Sequence, residues 1–480
     1  MVKAIRYIVL LIFSLSLLLA GLISWAIYSP AGSRWVLTQI PDWTGVDLEI
    51  GRIDGAFAGD LTLDEIQLQS QGLALQLDHL SLNSRITALL PLKLEVQQLE
   101  LANLSIETRA KKEKDNKKIN FSWPTLPPFM QWFQVELNNF EIKGAIWQQE
   151  DQNPVVIDLL QLSARWQSNQ LSIDQLDLWT PDLQGDGSIN IGLNQPRIQC
   201  DVRLKTKTPI KGWQQGTLQV DLQPETEQLA GSIAIEVESE QGEQLQLKTQ
   251  LDISKEQLHF YDLALQQSSR AGLILADGYL DFGDSGILID SQIQLQQLDF
   301  QSEAGQPLQL SGTVSVKSDL HSYHGRFDLE ADGNKITDVK LSGTFAGDQG
   351  KISLSGLEGE WLSGSLHGEV YSGWESGWWL KAQLSSRNLD LQHIYAELDS
   401  NLNLQVDADF SKETDQPLFG RLDVTLNDSL LYGQPLSGEA ALQLDGDNLQ
   451  LDRLNIHGDG IAVTASGNPA ERLSFSWQIE

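Results

Sequence analysis

One spacing recurs along this chain and limits what it can fold into: apolar-x-apolar-x-x-apolar-x-apolar. It reads Leu61, Leu63, Ile66, Leu68, then Leu75, Leu77, Leu80, Leu82, then Leu94, Val96, Leu99, Leu101. It returns as Val135, Leu137, Phe140, Ile142, as Leu171, Ile173, Leu176, Leu178, and as Leu258, Phe260, Leu263, Leu265. Two further copies are Ile293, Leu295, Leu298, Phe300 and Leu449, Leu451, Leu454, Ile456. A degenerate copy starts at Ile352 and Leu354 and carries Gly359 in its last slot. Alternation with period two is the mark of a strand with one apolar face. One extra residue would turn the second half of each strand over. A β-bulge absorbs that residue, keeps both halves on one face and adds twist; a tight bend between two short strands is the alternative. Either way the chain is mainly β and its sheet is expected to curve.

Glycine-bearing segments after several copies predict turns: Gly185-Asp186-Gly187, Ala276-Asp277-Gly278, Gly364 to Gly368, and Gly458-Asp459-Gly460. The copies at Leu171, Leu258, Ile352 and Leu449 lie 87, 94 and 97 residues apart, a loose supra-repeat that argues for one array rather than independent domains. One strand in every ~12 residues would place about 36 strands after residue 46, stacked ~4.8 Å apart. No run of amphipathic helices is available to cover the apolar face. Arg34 to Ile40 and Ile86 to Leu90 allow only short helical turns. The face is therefore buried either against a second sheet or by one sheet curling into a trough.

Between Arg6 and Arg34 no residue is charged, and Ile8 to Ile27 is almost continuously apolar. Twenty helical residues span about 30 Å, the thickness of a bilayer core. Lys3 and Arg6 precede the stretch, so the positive-inside rule keeps the N-terminus in the cytoplasm. A cleaved signal peptide is the competing reading, and Ser24-Trp25-Ala26 fits its cleavage site only loosely. An uncleaved anchor over residues 1–30 is expected, with everything after it across the membrane.

With 33 Lys+Arg against 65 Asp+Glu, the formal charge is -32, which disfavours nucleic acid as a partner. The one cysteine, Cys200, forbids an intramolecular disulfide and reads as a packed residue at the end of a strand. The charge run from Arg109 to Lys118 reads as a solvated loop, and the Pro-rich stretch from Trp123 to Phe129 leads into a strand at Val135. Trp374, Trp378 and Trp379 are expected to pack at a bend. Asp445-Gly446-Asp447-Asn448 echoes a calcium loop but has Ile456 where the bidentate Glu belongs, so a hairpin turn is expected. No P-loop, HExxH helix or GxSxG elbow is present, and His321 and His324 have no third ligand nearby. No catalytic residue, metal or cofactor is expected; the chain does not read as an enzyme.

The first hundred residues carry a family resemblance. Trp43, Gly45 and Val46 are followed by Ile50-Gly51-Arg52-Ile53-Asp54-Gly55, Leu61-Thr62-Leu63, Gly72-Leu73-Ala74-Leu75 and Leu80-Ser81-Leu82. This order resembles the start of the TamB family, among the AsmA-like bridge-like lipid-transfer proteins. Leu449 to Leu454 is similar to its later strand units. The resemblance implies a taco-like groove in a curled sheet. It also implies a bacterial inner-membrane anchor, a periplasmic body, and phospholipid carried toward the outer membrane. The family is linked as well to scaffolding outer-membrane protein and autotransporter assembly with a barrel partner, TamA. TamB proteins are longer, and the C-terminal region expected to meet TamA has no counterpart before Glu480, so a fragment or a shortened relative is implied. On this reading 31–108 begins the array, 109–134 is a basic and Pro-rich linker, and 135–480 continues the groove. The groove is expected to be lined by the repeat positions of the copies at 61–68, 75–82, 171–178, 258–265, 293–300 and 449–456.

Overall fold

The computed structural model describes residues 21–44, 46–108, 132–149 and 153–479, apart from 71, 90–91, 194–195, 211, 226–227, 284–285, 302–306, 334–338, 376, 396, 414–415, 447 and 470–471. Two compact units emerge, divided at Gln244/Leu245. Unit one holds a helix over 21–28, helix α1 (Pro30–Thr44) and strands β1 (Asp47–Gly55), β2 (Gly59–Ser70), β3 (Leu73–Leu89), β4 (Leu92–Thr108), β5 (Phe133–Gln149), β6 (Val155–Gln167), β7 (Gln170–Trp179), β8 (Leu183–Gly192), β9 (Arg197–Ile210), β10 (Trp213–Glu225) and β11 (Gln228–Ser239). Unit two holds β12 (Gln244–Ile253), β13 (Gln257–Gln267), β14 (Leu273–Gly283), β15 (Gly286–Gln301), β16 (Pro307–Ser318), β17 (Ser322–Gly333), β18 (Val339–Asp348), β19 (Lys351–Trp361), β20 (Gly364–Gly373), β21 (Gly377–Leu389), β22 (Ser400–Glu413), β23 (Phe419–Leu431), β24 (Gln434–Asp445), β25 (Asn448–Gly458), β26 (Ile461–Asn468) and β27 (Arg472–Ile479). The fold is mainly β, in open sheets. Strands are fewer and longer than the sequence spacing implies, because glycines expected to turn the chain lie inside strands.

Within each unit every strand pairs antiparallel with its sequence neighbour, with one exception: β4 and β5 run parallel. Their connection, with the basic run and Pro-rich segment, lies outside the described residues. Among the described residues no helix is long and apolar enough to cross a membrane. The expected anchor, Ile8 to Ile27, falls mostly outside them.

The extra residue of the repeat is a bulge in most copies. In β7 the register shifts on both sides between Ile173 and Leu176. β13 shifts between Phe260 and Leu263, β15 between Leu295 and Leu298, and β25 between Leu451 and Leu454. The copies in β2 and β3 depart from this. Ile53 faces Leu63 and Ile50 faces Ile66, one unbroken register. Here each neighbour carries its own extra residue at the same level, so Gly51, Glu65, Asp78, Asn103 and Gly144 form a line across five strands. Glu65, Asn103 and Gly144 have φ of 56°, 56° and 73°. The strands turn over together along this line, and Asn103 Nδ2 donates to Asp78 Oδ2 at 2.8 Å across it.

Gly185-Asp186-Gly187 and Ala276-Asp277-Gly278 lie inside β8 and β14 and make no turn. Their glycines give room to neighbouring strands. A Cβ on Gly278 would stand 2.7 Å from Phe260 Cζ, and one on Gly185 2.9 Å from Leu204 Cδ2. Two expected turns hold: β25 and β26 are joined at Asp459-Gly460, and β24 and β25 around Gly446. Other hairpins use two-residue loops with both φ positive, Ser168-Asn169, Leu362-Ser363 and Tyr432-Gly433, the form that matches strand twist.

α1 is longer than the turn expected at Arg34 to Ile40 because its start is well capped. Ser29 Oγ accepts from Gly32 N at 3.0 Å, and Pro30 takes the first helical position. Ser33, fully buried, donates to the Ala26 carbonyl and accepts from Phe57 N, both at 3.1 Å. This fixes the helix against the β1–β2 hairpin, with Leu37 on the apolar face. Ile86 to Leu89 is strand, the end of β3, rather than helix.

Candidate functional site

The repeat positions within each unit share one face. In unit one Leu61, Leu63, Ile66 and Leu68 stand opposite Leu82, Leu80, Leu77 and Leu75. Leu82 and Leu80 continue to Leu99 and Leu101, and these to Phe140 and Ile142. In β7, Leu171, Ile173, Leu176 and Leu178 meet Trp166, Ala164, Leu162 and Leu160. In unit two Leu258, Phe260, Leu263 and Leu265 pair with Leu280, Gly278, Ala276 and Ile274, which lead on to Ile293 and Leu295. Leu298 and Phe300 face Leu310 and Leu308. Leu449, Leu451, Leu454 and Ile456 lie in β25, ten strands further on, against Leu444, Leu442, Ala440 and Gly438.

Burial separates two kinds of position. Leu61, Leu63, Ile66 and Leu77 form a core cluster with Leu37 of α1, and Leu75, Leu80 and Leu82 pack against it. Here the helix covers the face. Elsewhere most of the face is only partly covered: Leu171, Leu176, Leu258, Leu263, Leu295 and Leu454 are half-buried and Leu449 is 39% exposed, while single positions such as Ile142, Ala276 and Leu451 are buried by their strand neighbours. Stable soluble surfaces rarely leave a contiguous apolar surface of this extent uncovered. Positions outside the repeat also line it, including Ile189, Ile198, Val220, Phe327, Phe345 and Leu422. Plain alternation was their only signal. Cys200 belongs to the same face, inside β9 between Ile189 and Val220 rather than at a strand end. Burial, and then Asp201, push its thiol pKa up.

The opposite face carries the charge. Lys143 Nζ reaches Glu100 at 2.7 Å and Glu141 at 3.0 Å, and Lys317 reaches Asp290 at 2.7 Å. Donated hydrogen bonds from Lys143 and Gln161 hold Glu141 below the usual carboxylate range. Lys317 does the same for Asp290. Trp374 and Trp378 are largely exposed at 48% and 41%, and Trp374 Nε1 donates to the Gln349 carbonyl at 2.9 Å. Among the described residues no group of three or more His, Cys, Asp and Glu is placed to hold a metal ion.

A bulged, one-sidedly apolar sheet that begins under a short helix matches a known family model, described as TamB, N-terminal domain, over residues 19–125 and 117–480. The chain belongs to the TamB N-terminal domain family. The TamB match extends a resemblance carried by the first hundred residues to nearly the full sequence. No curated protein and no solved structure matches the chain.

Proposed function

We propose that this TamB-family chain carries phospholipids along its apolar face, as a non-enzymatic bridge from the bacterial inner membrane toward the outer membrane. The supporting observation is the apolar face itself, continued from strand to strand within each unit and only partly covered over most of its length beyond α1. Acyl chains laid on it leave water at about 0.8 kcal/mol per buried CH2. Neighbouring rows are nearly equivalent, so a lipid is held but slides. Headgroups remain at the strand ends in water, and no side chain needs to make or break a bond. On this reading Ile8 to Ile27 anchors the chain with its N-terminus in the cytoplasm, the body lies in the periplasm, and a TamA-like outer-membrane barrel is the distal partner.

Cys200 provides the test. It is the sole cysteine and faces the proposed lipid path. The raised thiol pKa calls for labelling above the ordinary thiol range. A polarity-sensitive fluorophore on Cys200 should shift to the blue when delipidated protein is given phospholipid. An emission unchanged by lipid would count against the bridge and favour a scaffold for outer-membrane protein assembly.

A further inference from the structure

The polar face of unit two is hollow across β14 to β18. A cavity of about 830 Å³ opens there, and a smaller one of about 340 Å³ adjoins it along the same strands. One cross-strand row forms its floor: Asp277, Gln292, Ser315, Arg326 and Thr344 are successive partners on five neighbouring strands. Asp328 lies two residues from Arg326 on the same face.

Arg326 is exposed and, among the described residues, its guanidinium makes neither an ion pair nor a hydrogen bond. Its spacing from Asp328 does not prevent pairing: in β23 the same spacing closes Arg421 onto Asp423 at 2.6 Å. The guanidinium is therefore available, with carboxylate, amide and hydroxyl groups around it. The flanking carboxylates and the charge of -32 work against an anion. A ligand rich in hydroxyls answers the polar groups of this row, donating to Asp328 and to the Asp277 carboxylate, whose Oδ1 also accepts from Asp262 N, and accepting from Arg326 and Gln292. The next row supplies Tyr279, 36% exposed as a residue and with its hydroxyl donated to Asp290 at 3.1 Å, an aromatic plate for the C–H face of a sugar ring. Strands ~4.8 Å apart offer a fresh set of polar groups about once per hexose length.

We propose that this hollow is a binding site for an uncharged oligosaccharide lying across the polar face of β14 to β18. It is separate from the apolar face and does not depend on what that face carries. Calorimetric titration of the full chain, held in a sugar-free detergent, with chitotetraose and cellotetraose tests it; sodium sulfate serves as the anion probe. Saturable binding of at least one saccharide is expected, weakened roughly tenfold or more in Arg326→Ala, the loss expected for a charged hydrogen bond. Asp277→Asn provides a second, nearly isosteric variant with the same expected direction, and an unchanged thermal melt shows that folding is intact. No saccharide binding at millimolar concentration, binding that both variants retain in full, or binding of sulfate alone would overturn the proposal.

Discussion

Glycine at position 278 shows how a single residue shapes the apolar face. It sits mid-strand without an unusual φ, and what it supplies is space: a Cβ there would lie 2.5 Å from the Asp290 carbonyl oxygen and 2.7 Å from Phe260 Cζ. Gly420 stands in the same relation to the ring of Phe410. Gly278→Val should destabilise unit two by about 1–3 kcal/mol through overpacking, read as a lower urea midpoint; an unchanged midpoint would mean that the ring is free to move. On the polar face, Glu141 has a depressed pKa because Lys143 and Gln161 donate to it. The stability it contributes is complete above the ordinary carboxylate range and is lost as pH falls through the depressed folded value. Lys143→Met removes the main donor, so the melting temperatures of wild type and variant should converge as pH falls below that range. Comparing the two cancels the general relief of repulsion that acidifying so acidic a chain brings. A difference constant with pH would contradict the assigned cause.

At the scale of the strand, the bulge keeps the leucines on one side. Asp262 occupies the bulge of β13 at φ 52°, with its backbone N–H bonded to Asp277 Oδ1 at 2.9 Å. Asp262→Gly should be neutral or stabilising by roughly 0.5 kcal/mol, since glycine adopts that φ freely and keeps the N–H. Deleting Asp262 instead turns Leu263 and Leu265 toward the polar face, a loss of roughly 1.5–3 kcal/mol for two half-buried leucine side chains. Chemical denaturation of both variants checks the pair; a tolerated deletion would mean that the repeat does not set the face. The bulges of β7, β13, β15 and β25 were legible because the spacing itself carries them. The unbroken register of β2 was not, since it depends on an extra residue in the neighbouring strands. The turns expected at Gly185 to Gly187 and Ala276 to Gly278 failed for a related reason: a glycine reads the same whether it turns the chain or yields to a neighbour's side chain. Two-residue loops such as Leu362-Ser363 carry no turn residue at their first position, so nothing in the sequence marks them.

For the whole molecule, charge and hydropathy are divided between the two sides of each unit's sheet. Opposed charges pair on one side while leucine, isoleucine, valine and glycine fill the other, and α1 closes the apolar side only over the first strands. The mainly β fold and the family were legible from repeat and resemblance, and so was the face on which the repeat residues gather. What could not be read was which of them lie under α1, because that depends on a cap at Ser29 and a tether at Ser33 rather than on the leucines themselves. The polar hollow around Arg326 was equally hidden, since its floor is assembled from five strands with no motif in any one of them.

The most direct test of the lipid-path account is quantitative mass spectrometry of phospholipid co-purifying with the full chain and with a Leu176→Asp, Leu263→Asp double variant. The two positions place one charge on the open apolar face of each unit, and both proteins share the same N-terminal segment, so lipid held around that segment cancels. The account predicts several phospholipids per wild-type chain and a marked loss in a variant whose circular dichroism is unchanged. Equal lipid on the two folded proteins, or none on either, would contradict it.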